Sequence, residues 1–194
     1  MRGSRCCARG SAHGLRPKVH ADQLTACGGA ELAGRVRAVS ADHLEHVSDA
    51  GIAALAAAGT VAVLLPGAAI FLGDDSRAPA RRLIQAGVPV ALATDCNPGT
   101  CMTEDLLLML TLGMSRLGLS PLEALQAVTV HAARAIGREE VAGRLAAGRP
   151  ADVAVFDVPS HRHLPYRFGL PPTRAVLKGG ALVYREKRLD SAIF

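Results

Sequence analysis

The sequence predicts an α/β fold with a small β appendage. Three observations carry this. Between residues 17 and 141, strand-like runs alternate with helical patterns four times, and one more helix follows. The strand-like runs are continuously apolar rather than alternating, as in a parallel sheet covered on both faces. From about Ala142 the style changes to short strands punctuated by glycine. A doubly wound sheet and half of a barrel satisfy the pattern equally.

In order along the chain, residues 1–16 (MRGSRCCARGSAHGLR) read as an irregular N-terminal segment. PKVHAD (17–22) is a short strand ending on polar residues, GGAELAGRVR (28–37) a helix, and AVSADHLEH (38–46) begins as a second strand. DAGIAALAAAG (49–59) is a helix closed by Gly59 as a C-cap. VAVLLPG (61–67) is the third strand, RAPARRLIQAG (77–87) a helix stopped by Gly87, and VPVALATD (88–95) the fourth strand. TEDLLLMLTLGMSRLG (103–118) is helical, with acids near its start and Arg116 near its end, as the helix dipole prefers. SPLEALQAVTVHAARAIG (120–137) is the best-marked helix: Ser120 caps it, Pro121 suits the first turn, Glu123 completes a capping box and Gly137 ends it. GRLAAGRPADVAVFD (143–157) and RAVLKGGALVYREKR (174–188) hold the short strands of the appendage, joined by a Pro- and His-rich loop (158–172). The expected organisation is therefore 1–16 irregular, 17–141 α/β and 142–194 β.

Composition narrows the function classes. The 194 residues are ample for a hydrophobic core. Aromatics at 3%, with no Trp, argue against nucleic-acid binding by base stacking. The net charge of +5 includes Arg2, Arg5, Arg9, Arg16 and Lys18 near one end and Arg185, Lys187 and Arg188 near the other, not a stripe that reads nucleic acid. No apolar run reaches the roughly 18 residues that span a bilayer, and the N-terminus lacks the apolar core of a secretory signal. The five cysteines (6, 7, 27, 96, 101) form no C-x-x-C pair. The expectation is a cytoplasmic protein with reduced thiols, with neither a membrane nor a nucleic acid as partner.

Three of the four strands carry ionisable residues at their C-terminal ends: His20, His43 and Asp95. The third ends in Leu65, Pro66 and Gly67. Barrels and open α/β sheets build their sites at that end, and a buried ionisable group there needs a partner or a metal. Imidazole and carboxylate from different strands suit zinc or iron, and a catalytic ion with an open position activates water. Each residue also has a plainer reading. A lone strand-end histidine is commonly structural, Asp95 before Asn-Pro-Gly suits a turn cap, and Cys96 reads as a small apolar filler rather than a ligand. His46 reads as surface, His13 lies in the irregular start, His131 on a helix face, and His161 and His163 in a loop. What favours a site is the repetition of polar ends over successive βα units.

VHADQ, SADHLEH, VAVLLPGA and ALATDCNPGT, in that order and spacing, resemble the imidazolonepropionase family, histidine-degradation enzymes of the amidohydrolase superfamily. TVHAARAIG and GRLAAGRPADVAVFDVPSHRHLPYRFG agree, so the resemblance runs from about Pro17 to Lys187. It implies the C-terminal half of a metal-dependent-hydrolase (β/α)8 barrel, strands five to eight, plus part of a small β-sandwich. The implied reaction opens the cyclic amide 4-imidazolone-5-propanoate to N-formimidoyl-L-glutamate with one divalent metal, zinc or iron. His20 matches the fifth-strand metal ligand and Asp95 the eighth-strand ligand, which also moves protons. His43 matches a sixth-strand histidine beside the water. Gln23 matches a position that touches the imidazolone ring and is Glu in many relatives. Asn97, Gly99 and Thr100 match the substrate loop.

The H-x-H pair of the family's first strand has no counterpart. The single H-x-H, His161-Arg162-His163, falls in the tail. The Arg, Tyr and His that bind substrate from the first half are also absent, and residues 1–16 do not match the family's approach to the fifth strand. Out-of-frame translation or a misassigned start is the expectation, checkable in the DNA immediately upstream. The expected partners are the small-molecule substrate and either a missing N-terminal half or further copies of this chain, and the chain alone is expected to show weak or no activity. The alternatives are another amidohydrolase acting on a cyclic amide or amidine, and a non-catalytic remnant or assembly half.

Overall fold

Four short strands pair side by side in the order in which they occur: β1 (Lys18–Ala21), β2 (Ser40–His43), β3 (Val61–Leu64) and β4 (Val90–Leu92), all parallel. The computed structural model describes residues 2–169 and 172–186. Consecutive parallel strands joined by right-handed crossovers place their helices on one face, the arrangement of a barrel wall. The order β1-β2-β3-β4 therefore decides for part of a barrel over a doubly wound sheet.

Preceding β1 is helix α1 (Arg2–Ala12), a correction to the expected irregular segment; Arg and Ala are strong helix formers. The connections then carry α2 (Gly29–Arg35), α3 (Asp49–Ala58), α4 (Pro66–Phe71), α5 (Ala80–Gln85), α6 (Leu106–Leu117), α7 (Pro121–Val128) and α8 (Val130–Ala135). Local chemistry sets their ends. Ser48 accepts from the Gly51 N–H at the start of α3, and Gly59 closes that helix in the left-handed conformation. Asp105 caps α6 through Leu107 and Leu108, and Ser120 and Glu123 form the expected capping box on α7. The single helix expected over 120–137 is two, broken at Thr129, whose backbone leaves helical angles and whose hydroxyl bonds back to the Leu125 carbonyl at 2.7 Å.

The two faces of the sheet have separate cores. Ala21, Ala41, Ala62, Leu64, Val90 and Leu92 pack with the helices. Val61, Val63, Leu65 and Ala91 face the other way and pack with Cys101 and Ala135. Helix α8 closes the N-terminal ends of the strands. His131 Nδ1 bonds the Val90 carbonyl at 2.9 Å, the Arg134 guanidinium reaches the Gly59 carbonyl at 2.9 Å, and the Lys18 ammonium reaches the Ala135 carbonyl at 3.3 Å. His131 is thus a structural histidine.

Beyond α8 a separate antiparallel sheet forms in the order β5 (Val153–Phe156), β6 (Thr173–Lys178) and β7 (Ala181–Arg185). Gly179 and Gly180 turn β6 into β7, both at positive φ, as a two-residue hairpin loop requires. The loop before β6 contains a short 3₁₀ turn, His161–His163, followed by buried Leu164 and Pro165; the Pro165 carbonyl accepts from the Thr111 hydroxyl of α6 at 2.6 Å. Arg185 is in β7; Lys187 and Arg188, of the C-terminal basic cluster, lie outside the described residues.

Candidate active site

The C-terminal ends of β1, β2 and β4 point at one another. The rings of His20 and His43 lie 4.3 Å apart between centroids, tilted by 41°. Nε2 of His43 stands 3.9 Å from Oδ2 of Asp95. His20 is exposed, the Asp95 side chain is 27% exposed, and that of His43 only 4%. His43 is therefore the buried centre of the group, with the other two toward solvent.

Backbone conformation aims these side chains. Asp22, His43, Leu44 and Asp95 all have positive φ, between 50° and 82°. Non-glycine residues adopt such angles rarely and at a cost that the surroundings must meet. At His43 and Leu44 the hold is visible: the Leu44 N–H bonds the Ala21 carbonyl at 3.0 Å, and its side chain is fully buried. The β2 turn is thus pinned to the end of β1.

Asp22, two residues past His20, is a structural carboxylate that sequence reading passed over. It is 2% exposed and accepts from the backbone N–H groups of Cys27, Gly29 and Ala30 and from the Cys27 thiol. Burial alone would raise its pKa, but these donors together hold it below the usual carboxylate value. Gln23 follows it, half-buried, at the mouth of β1.

The loop after β4 is organised by Asn97. Its amide donates to the Asp95 carbonyl and to the Thr100 hydroxyl, each at 2.7 Å, and its oxygen accepts from the N–H groups of Gly99 and Thr100, each at 2.9 Å. The Thr100 hydroxyl in turn lies 3.5 Å from Oδ2 of Asp95. Asn97 therefore acts here as the loop's internal staple, with every polar atom of its side chain engaged. Cys96 is exposed, not the apolar filler expected. The buried thiol is Cys101, against which a Cβ on Gly67 would come within 2.9 Å.

Electrostatics separate the buried groups. Burial, reinforced by the like charge of His20, lowers the pKa of His43 against the opposing pull of Asp95 and Asp42. Burial, with the charges of Asp74 and Asp95, pushes Glu45 up to about 7. Glu45 was missed in the sequence; the one signal was its position between apolar Leu44 and Val47, both buried. His46 is half-buried beside the Ser76 hydroxyl at 3.4 Å.

The donor chemistry of His20 and Asp95 suits a divalent ion, yet the described residues hold no group of three His, Cys, Asp or Glu side chains arranged for a metal. The set among the described residues is partial.

A barrel wall whose strand ends gather imidazole and carboxylate defines a class, and the family comparison agrees. The amidohydrolase family profile matches residues 17–183, and the chain belongs to that family. Within it, the chain is 48% identical over 180 residues to the imidazolonepropionase of Geobacillus kaustophilus, which spans 93% of this chain and 42% of that enzyme. It is 53% identical over 168 residues to that of Cupriavidus taiwanensis, 87% of this chain and 40% of that enzyme. The chain thus spans about two fifths of the length of the curated relatives it matches. Among solved structures it is similar to an adenosine deaminase from Xanthomonas campestris with bound zinc (TM-score 0.79, 20% identity, 92% of this chain, 47% of that one). It is also similar to a 5-methylcytosine deaminase from Klebsiella pneumoniae (TM-score 0.78, 20% identity, 93% and 51%). At such identity the likeness is one of fold.

Proposed function

We propose that this chain carries the His20–Asp95 side of a one-metal hydrolase site, together with its substrate loop, for imidazolonepropionase-type opening of 4-imidazolone-5-propanoate to N-formimidoyl-L-glutamate. The observation that supports this is the meeting of His20, His43 and Asp95 at one end of a parallel sheet, in a chain about half identical to enzymes of that name.

His20 and Asp95 would hold one divalent ion, zinc or iron. When bound, such an ion supplies a water of lowered pKa and polarises the carbonyl. Catalytic zinc typically takes three protein ligands, so the remaining ligands must come from outside this chain. The chain's own residues divide the other tasks. The Asp95 carboxylate takes a proton from the attacking water and delivers it to the ring nitrogen that leaves, so the C–N bond breaks as the new C–O bond forms. His43, buried beside Asp95, orients the water or the carbonyl oxygen. Gln23 holds the ring by hydrogen bonds; an amide cannot serve as a base. Asn97 shapes the loop that presents Gly99 and Thr100 to the substrate. A cytoplasmic setting fits the free thiols of Cys27, Cys96 and Cys101.

The test is formation of N-formimidoyl-L-glutamate by this chain alone and mixed with a separately produced half that bears the H-x-H strand. Weak metal binding and little turnover are expected from the chain alone, with turnover restored in the mixture. Asp95→Asn is expected to lower the restored rate by about 10²–10⁴-fold. Robust turnover with near-stoichiometric metal in the chain alone would overturn the partial site. A mixture inert on this substrate but active on other cyclic amides would point to another amidohydrolase.

A further inference from the structure

The loop from Asp95 to Cys101 returns on itself. Asn97 and Cys101 exchange two backbone hydrogen bonds, at 3.0 and 3.3 Å, and Cys101 is 3% exposed, so Asn97 stands on a fixed base. Partners that act one way only decide the direction of every bond its side chain makes. The N–H groups of Gly99 and Thr100 can only donate, which places the amide oxygen on them, at 2.9 Å each. The Asp95 carbonyl can only accept, which places the NH₂ group on it, at 2.7 Å. The same NH₂ group donates to Thr100 Oγ1 at 2.7 Å, so the hydroxyl accepts there and keeps its own proton to give. A carboxylate only accepts, and Oδ2 of Asp95 lies 3.5 Å from that hydroxyl. This last link is longer than the others, and about 0.5–1 Å of side-chain movement brings it to usual O–H···O length.

We propose that Asn97 and Thr100 are positioning residues for Asp95: the Asn97 amide holds the Asp95 backbone in its left-handed conformation, and the Thr100 hydroxyl, aligned by that amide, donates to Oδ2 and holds the carboxylate in one rotamer. The inference rests on the reading of Asp95 as metal ligand and proton carrier, and it names what keeps that group aimed. Two features of Asp95 call for such support. Its φ is 53°, a conformation that a non-glycine residue keeps only where its surroundings hold it. Its side chain is 27% exposed, and a carboxylate bordering solvent exchanges rotamers within nanoseconds unless it is tethered. Asn97 meets the first need directly and the second through Thr100. Both of its amide protons are used in doing so, and its oxygen is taken up by the Gly99 and Thr100 N–H groups. The side chain thus acts on the carboxylate rather than on a ligand.

The experiment measures the three-bond NMR couplings from Asp95 Cγ to its backbone nitrogen and carbonyl carbon, which report χ1, in the full chain without metal or substrate. The wild-type chain should show a single rotamer. Asn97→Ala and Thr100→Val should give averaged couplings, and Thr100→Ser, which keeps the hydroxyl, should return the single rotamer. Averaged couplings in the wild-type chain overturn the inference, and this reading stands even where a variant does not fold. Couplings unchanged in both Asn97→Ala and Thr100→Val, or averaged equally in Thr100→Ser, also overturn it. In the assembly with the H-x-H half, Thr100→Val should lower kcat about 10-fold or more with little change in KM, because Asp95 acts in the chemical step. A raised KM with kcat unchanged would assign Thr100 to holding substrate and overturn the positioning role. Each failure leaves the hydrolase reading intact, because that is decided by product formation.

Discussion

Asp22 shows how much one side chain holds at this sheet end. Its carboxylate takes three backbone N–H groups and a thiol, with 2% exposure. Asp22→Ala should cost about 2–3 kcal/mol, because buried donors are left without an acceptor, as measured by denaturant unfolding; a loss under about 0.5 kcal/mol would mean water takes over. Glu45 sets a different expectation. Its pKa rises from 4.5 to about 7 on folding, so the native state holds that proton more tightly. The stability this provides is full below about pH 4.5 and is lost as pH rises through about 7, on the order of 3 kcal/mol. Asp22, with its pKa lowered, and Glu123, at about 2, act in the opposite sense at lower pH, so the windows separate. His43, with its pKa lowered, acts in the opposite sense within the same window, so the measure is the difference: unfolding free energy of the wild-type chain relative to Glu45→Gln should fall from pH 4.5 to 7.5, and parallel curves would sink this reading of Glu45. His20, His43 and Asp95 were readable because strand ends in such folds share one face. Asp22 and Glu45 were not, because the backbone amides that bond Asp22 and the burial of Glu45 are set by packing that no local spacing reveals.

At the scale of elements, legible helices were those with chemical punctuation. Ser120, Pro121 and Glu123 announce α7, and the capping box forms as read. Its Glu123 also accepts two contacts from Arg81, at 2.7 and 2.8 Å, whose hydrogen bonds are the main reason its pKa falls to about 2. Ser120→Ala should therefore cost about 1 kcal/mol. Helix α4 escaped the reading because six residues carry too little periodicity, although Pro66 at its first turn marks its start. The break at Thr129 escaped because it is made by contacts distant in sequence: His131 is drawn to the Val90 carbonyl across 41 positions. Packing between helices gives the sharpest prediction. Where α2 crosses α3, a Cβ on Gly34 would lie 2.7 Å from both the Cβ and the carbonyl oxygen of Ala54. Gly→Ala inside a helix normally gains about 1 kcal/mol from propensity. Here the obstacle includes backbone, which does not yield as a flexible side chain does, and overpacking costs about 1–3 kcal/mol. Gly34→Ala should be net destabilising, seen as a lower denaturant midpoint; a raised midpoint would mean that α2 and α3 separate freely.

For the whole molecule, the barrel-type sheet is open: among the described residues β1 and β4 each have one neighbour. Closed barrels abolish edges, whereas an open edge is a template for further pairing. The small sheet is bare as well, with Leu182, Val183 and Tyr184 of β7 57%, 61% and 48% exposed, so side chains on both of its faces meet solvent. Between the two sheets, Leu106, Ile136, Val141, Val153 and Phe156 line an open groove. Total accessible surface is 11712 Å² for 20.1 kDa, about a third more than a compact monomer of that mass exposes. Sequence patterning could show the strands but neither their order in the sheet nor this deficit, since a half-covered strand and a covered one carry the same apolar residues. The excess predicts behaviour. Produced alone, the chain should bind an apolar-surface dye strongly and sediment above monomer mass as concentration rises, because apolar area and free strand edges both favour association. Addition of the H-x-H half should lower dye binding and replace the mixed species with one of defined mass, since the same surfaces would then be covered once and specifically. A chain that remains monomeric and dye-silent at high concentration would show that the exposed faces are satisfied by rearrangement within the chain. The restored-activity assay would then be expected to fail for the same reason, because a surface that has closed on itself cannot receive the strands that would complete the proposed metal site.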